Sequence, residues 1–115
     1  MKIERFEEIL AWQKAKELTK NIYKLLAPIK DYGFKEQIQR AAVSVMNNVA
    51  EGFERRSDKE FKHFLFVAKG SCGEVRSMLI LAKELDYIEK NTCADLILET
   101  ERISKMLSNF IKMLD

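Results

Sequence analysis

The side chains able to do chemistry are few in this chain, and their spacing excludes most enzyme classes. His63 is the only histidine, and the two cysteines, Cys72 and Cys93, have no histidine or other base at a motif spacing. Neither a metal-ligand pair nor a nucleophile–base pair can be read from them. "KGSCG" carries two glycines, but it lies inside a helical pattern and lacks the lysine–serine ending of a phosphate loop. Glu51 and Glu74 remain, each bordering an apolar arc and each able to approach the interior of a bundle. Two carboxylates at one interior point could share a proton or hold a cation. Paired instead with Arg40, Arg55 or Arg76, they are structural. The expectation is no catalytic residue, no metal and no cofactor, with His63 on the surface and both cysteines buried as reduced thiols.

The densest polar motif is "SVMNNVAEGFERRS", from Ser44 to Ser57. Ser44, Asn48 and Glu51 fall on one side of a helix with Gln37, Arg40 and Arg55. This stripe reads either as a solvated face or as a polar seam that fixes contacts with the next helix or with another chain. In projection Asn48 sits beside Ala41 and Val45, so it should be partly buried. A buried asparagine must find hydrogen-bond partners, and it specifies register at some cost in stability.

Positive charge is the other candidate signal. The formal net charge is only +2, from 20 basic and 18 acidic side chains, which does not by itself mark a nucleic-acid binder. The distribution is uneven. Arg55, Arg56, Lys59 and Lys62 cluster at one corner, and Lys62, Lys69, Arg76, Lys83 and Lys90 recur every seven residues over about 42 Å of helix. Lys16, Lys20 and Lys24 make a second short row. Such rows can follow phosphates, or they can be the charged wet strip of an ordinary helix. Arg55, Arg56, Lys59, Lys62, Lys69, Arg76 and Lys83 are the candidate nucleic-acid contacts.

The elements that must position these residues are helices. One proline and four glycines in 115 residues are too few for the turns of a sandwich or barrel. A first helix is predicted from about Glu8 to Ala27, with Ala15, Leu18, Ile22, Leu25 and Ile29 as its seam and Pro28 as its stop. A second should span Phe34–Glu54. Ser57 and Glu60 have capping-box spacing ahead of a third, from Asp58 to Leu85 or a little beyond. A fourth should run from Thr92 to Met113, with Asn91 as cap. Short connections imply antiparallel neighbours, hence one domain: an all-α, up-down-up-down four-helix bundle. No apolar run approaches the roughly 18 residues of a membrane span. "MKIERFEEIL" has no apolar signal core, so a cytoplasmic protein is expected.

The third helix carries more apolar surface than a lone bundle hides. With Phe61 at heptad position a, positions a and d are core, e adds Leu65, Cys72 and Leu79, and position f holds Phe66, Gly73, Ile80 and Tyr87. Phe66, Ile80 and Tyr87 should form an exposed patch, which points to an interface. Gly70 and Gly73 each cost a helix about 1 kcal/mol against alanine. Together with Ser71 and Cys72 they strip bulk from one turn, so that another backbone can approach. Phe66, Gly70, Gly73, Ile80 and Tyr87 are the candidate contacts of a homo-oligomer.

Three stretches, "AWQKAKEL", "QIQRAAVSVMNNVAEGFERRS" and "FKHFLFVAKGSCGEVRSMLILAKELDYI", resemble the bacterial four-helix bundle proteins of intervening sequences in 23S rRNA genes. That S23-like family also includes the accessory variability protein of diversity-generating retroelements. The resemblance rests on Arg40, Ser44, Asn48, Glu51, Gly52, Ser71 and Glu74, with Ala41, Ala42, Ala50 and Arg55 or Arg56. It implies a bundle without enzymatic activity that assembles into a ring, typically a pentamer. In the retroelement branch it implies a strongly basic scaffold that binds RNA or DNA and a reverse transcriptase; the charge of +2 departs from that branch.

Overall fold

A computed structural model of the chain describes residues 2–115. A one-turn 3-10 helix, Phe6–Glu8, leads into α1 (Leu10–Leu26), α2 (Tyr32–Glu54), α3 (Asp58–Glu84) and α4 (Lys90–Met113). Among the described residues there is no strand. The helices run antiparallel in cyclic order, with α2 and α3 most extensively packed and α1 and α4 least. Across α2–α3, Ser44 meets Ser71, and Gly52 meets Phe61 and Phe64, while Phe34 of α2 meets Tyr87 in the connection that follows α3. The molecule measures 43 × 21 × 19 Å. Its long dimension is about that of α3 alone, whose 27 residues rise about 1.5 Å each.

Local chemistry sets the helix ends. The Ser57 hydroxyl accepts from the Glu60 amide and opens α3. Asp31 caps α2 by accepting from the Phe34 amide, so α2 starts at Tyr32 rather than Phe34. Glu89, not Asn91, caps α4 by accepting from the Asn91 amide. The first helix does not begin at Glu8: Ile9 is extended and buried, and it separates the 3-10 turn from α1. Its lower seam passes through Leu26, leaving Leu25 and Ile29 half-buried.

The core is aliphatic. Ile22, Leu26, Ile38, Val45, Val49, Leu65, Val75, Leu79, Ile103 and Leu107 are fully enclosed. Each such burial stabilises by about 1.5–3 kcal/mol. Alanines at 15, 41, 42, 68 and 82 keep the helix axes close. Buried polar groups return their hydrogen bonds to backbone. The Thr19 hydroxyl lies 2.8 Å from Ala15 O and 3.2 Å from Ala42 O, which ties α1 to α2. The Cys72 thiol donates to Thr100 O and the Cys93 thiol to Leu79 O, both tying α3 to α4.

Two expectations for α3 are corrected. Its buried seam is a and e (Phe61, Leu65, Ala68, Cys72, Val75, Leu79, Ala82). Position d is half-buried at Phe64, Ser71 and Met78 and exposed at Leu85, because d faces the flank against α2. Tyr87 does not continue the exposed f stripe. Asp86 takes a left-handed φ of 60°, while the Tyr87 amide bonds Ala82 O and the Asp86 amide bonds Lys83 O. This reversal ends α3 and turns Tyr87 inward. Its ring packs edge-on against Phe34, 5.3 Å between centroids, and its hydroxyl donates to Asp31 at 2.7 Å.

Asp31 thus latches two loops at one end of the bundle. The Tyr87 hydroxyl and then the Phe34 amide hold its carboxyl below the usual 3.8, and the same bond raises the Tyr87 phenol. A lowered folded-state pKa favours the ionised form in the fold. The stabilisation is complete above the unfolded value, about 3.9, and is lost as pH falls through the lower folded value. Thermal melts of the protein and of Asp31→Ala should therefore differ most near neutral pH and converge as the pH drops below about 4.

Candidate functional site

The motif around Asn48 forms the seam between α2 and α3. Ser44 and Ser71 share a hydrogen bond at 2.8 Å, and the Asn48 amide donates to Ser44 O at 2.8 Å and to Ser44 Oγ at 2.9 Å. Gln37 Nε2 donates to Glu74 Oε2 at 2.7 Å. Arg55 reaches Glu51 and Glu60, each at 3.6 Å, and its guanidinium lies over Phe64, 5.0 Å from the ring centroid. Arg40 pairs with Glu36 on the exposed edge of α2. Glu51 and Glu74 are therefore exposed and partnered, and do not share an interior site. Among the described residues no three His, Cys, Asp or Glu side chains converge as a metal site.

Gly52 explains why this motif needs its glycine. A Cβ there would lie 2.7 Å from Phe64 Cβ, 2.9 Å from Phe61 Cδ1 and 3.3 Å from Phe61 O. The obstacle is carbon fixed to the α3 backbone, so the helices would have to separate. Gly70 and Gly73 behave differently, since a Cβ at either meets only open space. They are thinned positions on an outward surface.

That surface is apolar. Phe66 is 57%, Val67 39%, Ile80 46% and Leu81 47% exposed, two pairs of large side chains flanking the Gly70–Gly73 turn. Position g contributes Val67 and Leu81, the neighbours that the f-position reading left out. Their signal was in the sequence: g is apolar wherever it is not Glu74.

The basic residues separate onto three sides. Arg55 and Lys59 lie with His63 and Phe64 on the outer side of the α2–α3 corner. Arg56, at a left-handed φ of 59°, stacks over Phe53 on the opposite side, near Ile3 and Met113. Position b of α3 faces α4: Lys62 pairs with Asp115, and Arg76 with Glu101 at 3.3 Å. The expected single corner cluster is thus divided by the chain reversal at Arg56.

Between α3 and α4 runs a shallow groove of about 390 Å³, lined by Gly73, Arg76, Ser104, Lys105, Ser108, Asn109 and Lys112 among others. Cys72 forms part of its floor. Burial pushes that thiol up to about 11, against the opposing pull of the Ser104 backbone and then of the Arg76 and Lys69 charges. Burial raises Cys93 as well. Both thiols are free, buried and protonated at neutral pH, the opposite of a nucleophile's setting. Ser104, Lys105, Ser108 and Lys112 were missed in the sequence because α4 was read only for its apolar seam, although i, i+4 serines and i, i+7 lysines mark its wet side. No helix among the described residues is long and apolar enough to cross a membrane.

These features define an antiparallel four-helix bundle with a polar α2–α3 seam, and comparison with known proteins gives it a family. The 23S rRNA-intervening sequence protein model matches residues 7–109, and the chain belongs to that family. The crystal structure of a protein of unknown function from the S23 ribosomal protein family, from Bacteroides thetaiotaomicron VPI-5482, has the same fold. The TM-score is 0.82 at 22% identity, over 90% of this chain and 96% of that one. No curated protein matches.

Gly52→Ala should destabilise the protein by about 1–3 kcal/mol through overpacking against α3. This net loss stands despite the roughly 1 kcal/mol that alanine gains in helix propensity. Chemical denaturation of the two proteins checks it; an unchanged midpoint would mean that α2 and α3 can move apart freely.

Proposed function

We propose that this chain is a non-catalytic scaffold that assembles with copies of itself through the outer face of α3 and presents its basic surfaces to nucleic acid. The observation that carries the assembly is the exposed set Phe66, Val67, Ile80 and Leu81 around a turn thinned to Gly70 and Gly73. Large apolar side chains left in water forgo about 1.5–3 kcal/mol each. A notch between two apolar pairs suits the close approach of a second backbone. A contact between unlike surfaces of neighbouring copies makes a ring when the rotation from copy to copy closes; five copies is the state the resemblance implies. Tyr87, turned inward against Phe34, has no part in this face.

RNA is the polyanion this reading favours, supported by the family's tie to a ribosomal RNA intervening sequence. The candidate contacts are Lys59, Lys69 and Lys83, which have no salt-bridge partner among the described residues, with Arg55, Arg56, Lys62 and Arg76 alongside. Two free buried thiols suit a reducing, cytoplasmic location. A second reading, an interaction module without nucleic-acid affinity, draws on the pairing of Arg55, Lys62 and Arg76 with carboxylates and on the small net charge. Salt-dependent RNA binding by the assembled protein decides between them.

Sedimentation velocity at micromolar concentration should show a multiple of the 13.4 kDa chain. Phe66→Glu/Ile80→Glu should sediment as a folded monomer, because both side chains are exposed in the single chain. A monomeric parent protein would refute assembly through this face.

A further inference from the structure

We infer that the groove between α3 and α4 tracks the sugar–phosphate backbone of a nucleic-acid duplex without reading its sequence; this rests on the scaffold reading above and names its binding surface. Lys105 and Lys112 on α4 stand seven residues apart, about 10.5 Å, and Arg76 faces them from α3, with Lys69 one heptad before it and outside the lining. Among the described residues Lys69, Lys105 and Lys112 have no carboxylate within salt-bridge reach, and only Arg76 is paired, with Glu101. Two unpaired lysines on the α4 wall, with the paired Arg76 opposite and Glu101 as the single carboxylate of the lining, offer phosphate contacts that release counterions.

The remaining lining points to backbone rather than bases. Ser104, Ser108 and Asn109 supply hydroxyl and amide donors of the kind that contact phosphates and sugars. Gly73 leaves the α3 wall open to close approach. The lining holds no aromatic side chain, whereas proteins that grip single strands without sequence preference stack bases on aromatics. Double-stranded RNA is instead held by its shape and by contacts to phosphates and 2′-hydroxyls. The groove and the outer face of α3 meet at Gly73, but Lys105 and Lys112 stand on α4, so a copy docked on Phe66 and Ile80 leaves both lysines free.

The experiment measures fluorescence anisotropy of a labelled short blunt RNA duplex with the full-length chain across a salt series. The wild type should bind, with affinity falling linearly on a log–log plot. Lys105→Glu/Lys112→Glu should weaken binding at least about tenfold and flatten the slope by about two. Lys105→Gln/Lys112→Gln should flatten it equally with a smaller loss. Circular dichroism and sedimentation should match the wild type for both variants. A duplex of scrambled sequence should bind within about twofold.

Unchanged binding by the glutamate variant would overturn the groove while leaving the scaffold reading intact. A strong preference for one sequence, or for a single strand over the duplex, would overturn backbone tracking. Failure of the wild type to bind any duplex would overturn both the groove and the nucleic-acid half of the scaffold reading, with assembly judged separately by its mass.

Discussion

The close approach of α2 to α3 at Gly52 is the constraint on which the rest of this structure depends. With no side chain at residue 52, Phe61 and Phe64 settle directly against the α2 backbone. Only at that separation can two serine side chains, among the shortest polar ones, meet across the interface, as Ser44 and Ser71 do. Asn48 completes the link by donating to both the carbonyl and the hydroxyl of Ser44. The longer pair Gln37–Glu74 spans the seam further along, on its exposed edge. Directional bonds of fixed length turn an otherwise greasy, slidable contact into a single register.

Register on one side of α3 determines its other sides. Once position d faces the α2 seam, a and e must face the core and b must face α4. Positions c, f and g are then left to solvent. The outward apolar strip and the cationic groove against α4 are consequences of the same rotation of one helix. A turn of α3 by one position would bury Phe66 and expose Leu65, losing a core residue of equal weight.

The ends of the bundle are held by polar latches rather than by grease. Asp31 caps α2 and receives the Tyr87 hydroxyl, so one carboxylate joins the α1–α2 and α3–α4 connections. At the other end Arg55 bridges the last turn of α2 to the first of α3 through Glu51 and Glu60. The interior holds Thr19, Thr100, Cys72 and Cys93, and each returns its hydrogen to a carbonyl. Among the described residues no buried side-chain nitrogen or oxygen lacks a partner. Ser44, Asn48, Gly52, Ser71 and Glu74 accordingly have an architectural place in this chain, at the junction of two helices.

The sequence by itself determined the four helices and their antiparallel order, because apolar periodicity and turn residues act over a few neighbours along the chain. It also exposed the excess of grease on α3. Tertiary structure alone decided where the polar stripe of α2 went. Periodicity records which residues share a side of a helix but not what lies opposite, so Ser44 and Asn48 could equally have faced water. Tyr87 and Arg56 were beyond sequence for a related reason: each follows a helix end where one left-handed residue reverses the chain, and that angle is fixed by packing. The α3–α4 groove required two helices at once, since Lys105 and Lys112 of α4 enclose nothing until Gly73 and Arg76 of α3 are set beside them.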